Sequence, residues 1–222
     1  MPKEELPKGQ AGGTLVDLVY EKLEAGILSQ KHKQGEALIE MNISSDLGVS
    51  RTPVREAIRM LEQKGLVKML PHRGAVVVGI DRKDLEDIYT IRMYVEGLSA
   101  KWAAGIITEG QLQTLTEIVD LQEFYQIKNS AMKINELDSR FHEQIYRYSG
   151  SRTLQHILSE LHHTIQWFRE LSFKSEGRAE KAIEEHRRIL SALESRDGEL
   201  AESLTVGHIR NAWENLSKQL DG

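Results

Sequence analysis

Apolar residues recur at helical spacing from Thr14 onward: Leu15, Leu18, Val19, Leu23 and Ile27 share one helix face. Thr14 followed by Asp17 predicts a capping box at the start of that helix, and Gly26 lies near its end. After the polar run SQKHKQGEA comes a short apolar pair, Leu38 and Ile39. A short helix around Ile43–Leu47, Gly48, and a longer helix from about Ser50 to Gln63 follow, with Gly65 placed to stop the second. Val67–Leu70 and Ala75–Ile80 are β-like runs on either side of Pro-His-Arg-Gly and read as a hairpin. Beyond Ile80 the β signal disappears. Asp81 with Asp84 marks a helix start, and about six amphipathic helices follow over 82–104, 109–126, 130–149, 151–173, 177–195 and 198–220. Residues 1–13 have no periodicity and read as a mobile tail. The pattern predicts a mainly α chain with a small helix-plus-hairpin domain over 14–80 and an all-α bundle over 81–222.

Composition narrows the chemistry. The 222 residues include no cysteine, which excludes disulfides, thiolate catalysis and Cys-ligated zinc. Acidic residues number 34 against 29 Lys and Arg, a net −5 that argues against indiscriminate coating of nucleic acid or anionic membrane. No apolar stretch approaches the roughly 18 residues of a membrane span. The opening MPKEELPKGQAGG lacks the apolar core of a signal peptide, so the expected location is cytoplasmic, with no membrane partner. The charge is unevenly spread. Residues 50–80 carry six basic and two acidic side chains, a local +4, whereas residues 81–222 sum to −6.

That local charge falls on a helix-turn-helix pattern. In ISSDLGVSRTPVREAIRMLEQKGL a short helix, a turn at Gly48-Val49-Ser50 and a longer helix leave Val54, Ala57, Ile58 and Leu61 to pack inward. Arg51, Arg55 and Arg59 repeat every four residues and form one exposed stripe, suited to phosphate oxygens and guanine edges. Ser50 or Thr52 can cap the helix and Pro53 fits its first turn. An isolated arginine stripe is usually a solvated face; the turn, the hairpin and the local charge favour a DNA-reading winged helix. LGVSRTPVREAIRMLEQKGLV followed by PHRGAVVV resembles the DNA-binding domain of the GntR family of bacterial regulators. The resemblance implies groove and phosphate contacts from Arg51, Thr52 and Arg55, and a wing tip at Arg73-Gly74 that reaches the minor groove. Some relatives carry a basic residue early in the preceding helix, where this chain has Met41 or Asn42.

In the helical region, polar residues interrupt apolar stripes. Asp138 shares a face with Ile134, Phe141 and Ile145, and His142 lies one turn on. His186 aligns with Ile183 and Ile189, and His208 with Leu204 and Ala212. A buried carboxylate costs several kcal/mol unless it is paired or metal-bound. Three imidazoles and a carboxylate are a possible ligand set for a divalent metal, with zinc, nickel, manganese and iron all compatible with N and O donors. Hydrogen-bonded core residues, including an Asp138–His142 pair, account for the same pattern. Arg92 shares a face with Leu85, Ile88 and Val95; it can pair with Glu96 one turn on, or clamp a carboxylate beside a metal. Trp102, Trp167 and Trp213 read as core or interface. IRMYVEGLSA, ELDSRFHEQIY, EEHRRIL and GHI resemble the FCD ligand-binding domain of the FadR-type branch, in its shorter VanR-like form. That resemblance implies a divalent metal on Asp138, His142, His186 and His208, with Arg92 holding a small organic acid.

The expectation is a homodimeric repressor, not an enzyme, that binds double-stranded operator DNA under control of a small carboxylate effector. A metal-dependent hydrolase and a pure metal sensor use the same His3Asp set as alternatives.

Overall fold

The computed structural model describes residues 14–71, 73–172, 175 and 177–220, so the tail over 1–13 lies outside the described residues, as do His72 and the last residue of the span 151–173. The chain divides between Asp81 and Arg82 into two compact units.

In the first unit, α1 (Leu15–Leu28) opens with the capping box: Thr14 N–H donates to Asp17 Oδ2 at 2.8 Å, and Asp17 N–H donates back to the Thr14 hydroxyl. Then come β1 (Ala37–Leu38), α2 (Glu40–Leu47), α3 (Arg51–Gln63), β2 (Val67–Leu70) and β3 (Gly74–Val77). The strands form an antiparallel sheet in the order β1-β3-β2. Val19, Leu23 and Ile27 of α1 meet Val54, Ala57, Ile58 and Leu61 of α3 in a closed core beneath the sheet residues Leu38, Val67, Ala75 and Val77. Gly48 ends α2 in the left-handed conformation at φ +67°, which a residue with a Cβ adopts only at a cost.

Four details differ from the reading along the chain. The apolar pair at Leu38–Ile39 conceals a strand, since Ala37 and Leu38 pair with Val76 and Ala75; two residues are too few to show a period. The second helix starts at Glu40, three residues before its first buried apolar residue, Ile43. The last strand ends at Val77 instead of Ile80, because the N–H groups of Val78 and Gly79 both turn back to the Leu66 carbonyl. Ser50 occupies the N-cap position of α3, but no side chain makes a capping hydrogen bond there.

The second unit comprises α4 (Arg82–Ile106), α5 (Glu109–Ile127), α6 (Ala131–Tyr148), α7 (Arg152–Ser172), α8 (Arg178–Glu194) and α9 (Gly198–Leu220), with bounds within two residues of the periodicity spans. Thr108 and Gln111 close a capping box on α5. Leu115, Val119, Phe141, Ile145, Ile189 and Leu193 share one core with Ala100, Ala103 and Ala104. The small residues let α4 run close along α9: a Cβ on Gly97 would stand 2.8 Å from Val206 Cγ2. Tyr89, Ile165, Ile209 and Leu216 form a second cluster, against which Trp213 packs with its ring 5.3 Å from Tyr89. Trp102 is half exposed, and the Trp167 side chain lies outside the described residues. Among the described residues no helix is long and apolar enough to cross a membrane.

Candidate nucleic-acid interface and metal centre

The apolar side of α3 is consumed by the core of the first unit, so its other side must face outward. Arg51, Thr52, Arg55 and Arg59 lie there, all exposed, and Arg73 and Gly74 are exposed at the turn between β2 and β3. Gly74 has φ +71°, and the Arg73 N–H closes the turn on the Leu70 carbonyl. The arginines have acidic neighbours that periodicity did not single out. Glu40, the first residue of α2, takes the Arg55 guanidinium in a fork, Nε to Oε1 at 3.0 Å and Nη2 to Oε2 at 2.9 Å. Arg55, with Arg51 and Arg59 adding their fields, holds the Glu40 carboxyl below the usual carboxylate range. Arg59 pairs with Glu56 one turn back.

In the second unit, four side chains from three helices converge. Asp138 and His142 come from α6, His186 from α8 and His208 from α9; one ligand atom of each lies within 4.8 Å of all the others, and all four residues are buried. His142 Nε2 and His208 Nε2 are 3.2 Å apart, and His186 Nε2 stands 3.5 Å from Asp138 Oδ1 without a hydrogen-bond partner. Phe141 supports the His186 ring by stacking at 4.3 Å between centroids.

The outward nitrogens are each met by an oxygen. His208 Nδ1 lies 2.7 Å from Glu185 Oε2, His186 Nδ1 lies 3.0 Å from Gln122 Oε1, and His142 Nδ1 lies 3.1 Å from Glu96 Oε2. The last contact is off the line of a hydrogen bond. Glu185 also accepts from Arg178 and Asn211. Burial opposes its charge, yet His208, Arg178 and Asn211 bring its pKa down to about 2. Burial likewise opposes ionisation of Glu96, but Arg92, His142 and Tyr146 hold it well below the carboxylate range. Burial pushes His186 well down, with the neighbouring His208 adding to the shift; burial also lowers His208, partly offset by Glu185.

This donor set fits a divalent transition metal. A neutral imidazole with Nδ1–H turned to an oxygen presents its Nε2 lone pair inward, and two such lone pairs 3.2 Å apart repel unless a cation sits between them. Two nitrogens bound at about 2.0–2.1 Å to one tetrahedral ion stand roughly 3.3 Å apart, close to what the rings already adopt. A carboxylate completes a set of hard and borderline donors that suits zinc, nickel, manganese or iron. His142 directs its two nitrogens to Glu96 and His208, away from the within-helix pairing with Asp138 that its spacing allows.

Arg92 is buried, as its place on the stripe implies, and its Nε donates to Glu96 Oε1 while Tyr89 lies beneath the guanidinium at 4.8 Å. Burial opposes its charge, but Glu96 more than restores it. Asp138, Glu96 and Glu185 against Arg92 and Arg178 give a formal −1 with neutral rings. Gln122 was findable, since it continues the Leu115, Ile118, Val119 stripe of α5 as a polar interruption. Glu185 carries no such signal, because it sits beside His186 in sequence, off the apolar face.

The comparisons with known proteins agree with this division. Residues 15–77 match the model of the bacterial regulatory proteins of the gntR family, and residues 87–211 match the FCD domain. The HTH-type transcriptional regulator YdhC of Bacillus subtilis (strain 168) is 29% identical, over 91% of each chain. The gluconate operon transcriptional repressor of the same organism is 30% identical, over 85% of this chain and 75% of its own length. Among solved structures, E. coli McbR/YncC superposes with a TM-score of 0.73 at 23% identity, over 94% of this chain and 100% of that one. A hydrolase built on the His3Asp set finds no support in these relatives. The chain belongs to the gntR family of bacterial regulatory proteins, with an FCD domain as its second unit, and is a DNA-binding transcriptional regulator, not an enzyme.

Proposed function

We propose that this regulator is a homodimeric repressor whose operator affinity is set by a small carboxylate bound at a metal centre in the FCD domain. The observation that carries the reading is the convergence of three Nε2 atoms and the Asp138 carboxylate, with every outer Nδ1 facing an oxygen. Asp138, His142, His186 and His208 would hold the ion, which supplies Lewis-acid positions to a carboxylate oxygen. The five charged groups around the rings sum to −1, so a divalent ion brings the site to +1 and one monocarboxylate neutralises it. Arg92 is the candidate clamp for that anion, provided it exchanges Glu96 for the incoming carboxylate.

On the DNA side, the exposed side of α3 supports groove and phosphate contacts from Arg51, Thr52, Arg55 and Arg59. The turn at Arg73-Gly74 supports a minor-groove contact, where the absence of a Cβ permits close backbone approach. Two copies reading two half-sites account for a pseudo-palindromic operator. The gluconate operon relative is named a repressor, which supports the same sign here.

Titrating zinc and a panel of organic acids separately against operator binding tests the scheme. An acid that releases DNA only from metal-loaded protein supports it. Release by metal alone supports the pure metal sensor, and a stoichiometry below one ion per chain after exposure to each of the four metals overturns the metal centre.

A further inference from the structure

We infer that Glu96, Gln122 and Glu185 are positioning residues that make Nε2 the ligand atom of all three histidines, with Gln122 the adaptable member of the set. The inference rests on the metal-centre reading above and concerns residues outside the ligand set. Each comes from a different helix, α4, α5 and α8, and each faces the Nδ1 of a different ring. An ionised carboxylate only accepts, so the His208 nitrogen facing Glu185 at 2.7 Å must carry the proton, and its other nitrogen is left bare and inward. Glu96, 3.1 Å from His142 Nδ1 but off the line of a hydrogen bond, favours the same tautomer through its charge alone. The carboxylates are themselves held in place. Arg178 and Asn211 grip both oxygens of Glu185, and Arg92 grips Glu96.

Gln122 differs in kind. Its Oε1 accepts from His186 Nδ1 at 3.0 Å, while its own Nε2, also buried, has no hydrogen-bond partner among the described residues. Turning the amide over would present the NH2 group to Nδ1 and move the ring proton to Nε2, opposite Asp138 Oδ1 3.5 Å away. Two ring tautomers are therefore open to His186, one that offers a lone pair to a metal and one that closes on Asp138. His208, hydrogen-bonded to Glu185, has one. His186 is then the ring that switches between a metal-free and a metal-ready state, and Gln122 is the residue that permits it.

The test uses the full-length protein, zinc and a chromophoric chelator. Gln122→Met removes the acceptor at nearly constant volume and is expected to weaken zinc binding about ten- to a hundredfold. Gln122→Glu fixes the Nδ1–H form and is expected to bind zinc at least as tightly as the wild type. Imidazole 15N–1H correlation spectra report the tautomers directly, a readout that a merely structural role for Gln122 would not move. The zinc-loaded wild type should show all three rings protonated at Nδ1. In metal-free protein His208 should stay protonated at Nδ1, and His186 should show Nε2–H character that is lost in Gln122→Glu. Wild-type zinc affinity in Gln122→Met, or Nδ1 coordination by any of the three rings, overturns the inference while leaving the metal centre standing. A wild type that takes up no zinc overturns both.

Discussion

The two units use the same ion pair, arginine with glutamate, in opposite surroundings. Arg55 and Glu40 meet at the surface, with side chains 53% and 31% exposed, where water and salt already stabilise each partner. Arg92 and Glu96 meet with 3% and 1% exposed, where neither charge has water to return to. On the proposed reading the surface pair is a placeholder that a phosphate displaces at little cost. The buried pair belongs to the surroundings of the histidine cluster, since Glu96 also touches the ring of His142. The DNA-binding unit therefore keeps this pair exposed and exchangeable, and the FCD unit keeps its pair buried and committed.

Breaking the buried pair from one side should give the largest effect. Arg92→Met leaves Glu96 buried without its counter-charge and is expected to cost about 3–5 kcal/mol in urea unfolding. The double variant Arg92→Met with Glu96→Leu should recover part of that loss; a double variant as unstable as the sum of the singles would show that the pair is not coupled.

Acid should separate the units next. His186 and His208 have folded values below their unfolded ones, so the unfolded state binds protons first, and stability present above about pH 6.5 falls as pH drops through it. Glu185 adds a second loss: its stabilisation is present above about 4.5 and disappears as pH falls towards about 2. Metal-free protein should therefore show a falling urea midpoint from about pH 6.5, at the FCD unit and not the winged helix, followed by tryptophan fluorescence. Trp102, Trp167 and Trp213 all lie in that unit. A midpoint flat between pH 7 and 5 contradicts the buried neutral rings.

At the surface, Arg55→Ala should weaken operator binding roughly tenfold or more, and each lost phosphate contact should lower the salt slope by about 1. Anisotropy titrations at several salt concentrations read both quantities, and unchanged affinity would remove Arg55 from the interface. The smallest effect belongs to Glu40→Gln. It removes the charge that holds Arg55 in the unbound protein, so operator affinity should rise slightly and the denaturation midpoint should not move measurably. A large loss of DNA binding in this variant would make Glu40 part of the reading surface instead of a placeholder.

Much of the molecule was legible along the chain. Residues whose role depends on their own helix face announced themselves: the Arg51, Arg55, Arg59 stripe, and Asp138, His142, His186 and His208 as polar breaks in apolar stripes. The strand at Ala37–Leu38 was not legible, because its partner lies almost forty residues away and two residues carry no period. Glu40 was missed for a related reason, since nothing local to α2 marks a contact with α3. Glu185 escaped because the face it presents is neither the apolar stripe nor an interruption of it.

Periodicity by itself determined which helix residues turn inward, and with them the order of the helices, the arginine face of α3 and the four inward donors of the bundle. It could do so because burial is a property of one helix at a time, set by the 3.6-residue repeat. The tertiary structure decided which oxygen each outer ring nitrogen faces, which carboxylate each arginine holds and what formal charge surrounds the cluster. Those depend on α4, α5, α8 and α9 meeting at one point, and no repeat within a single helix encodes the distance between two of them.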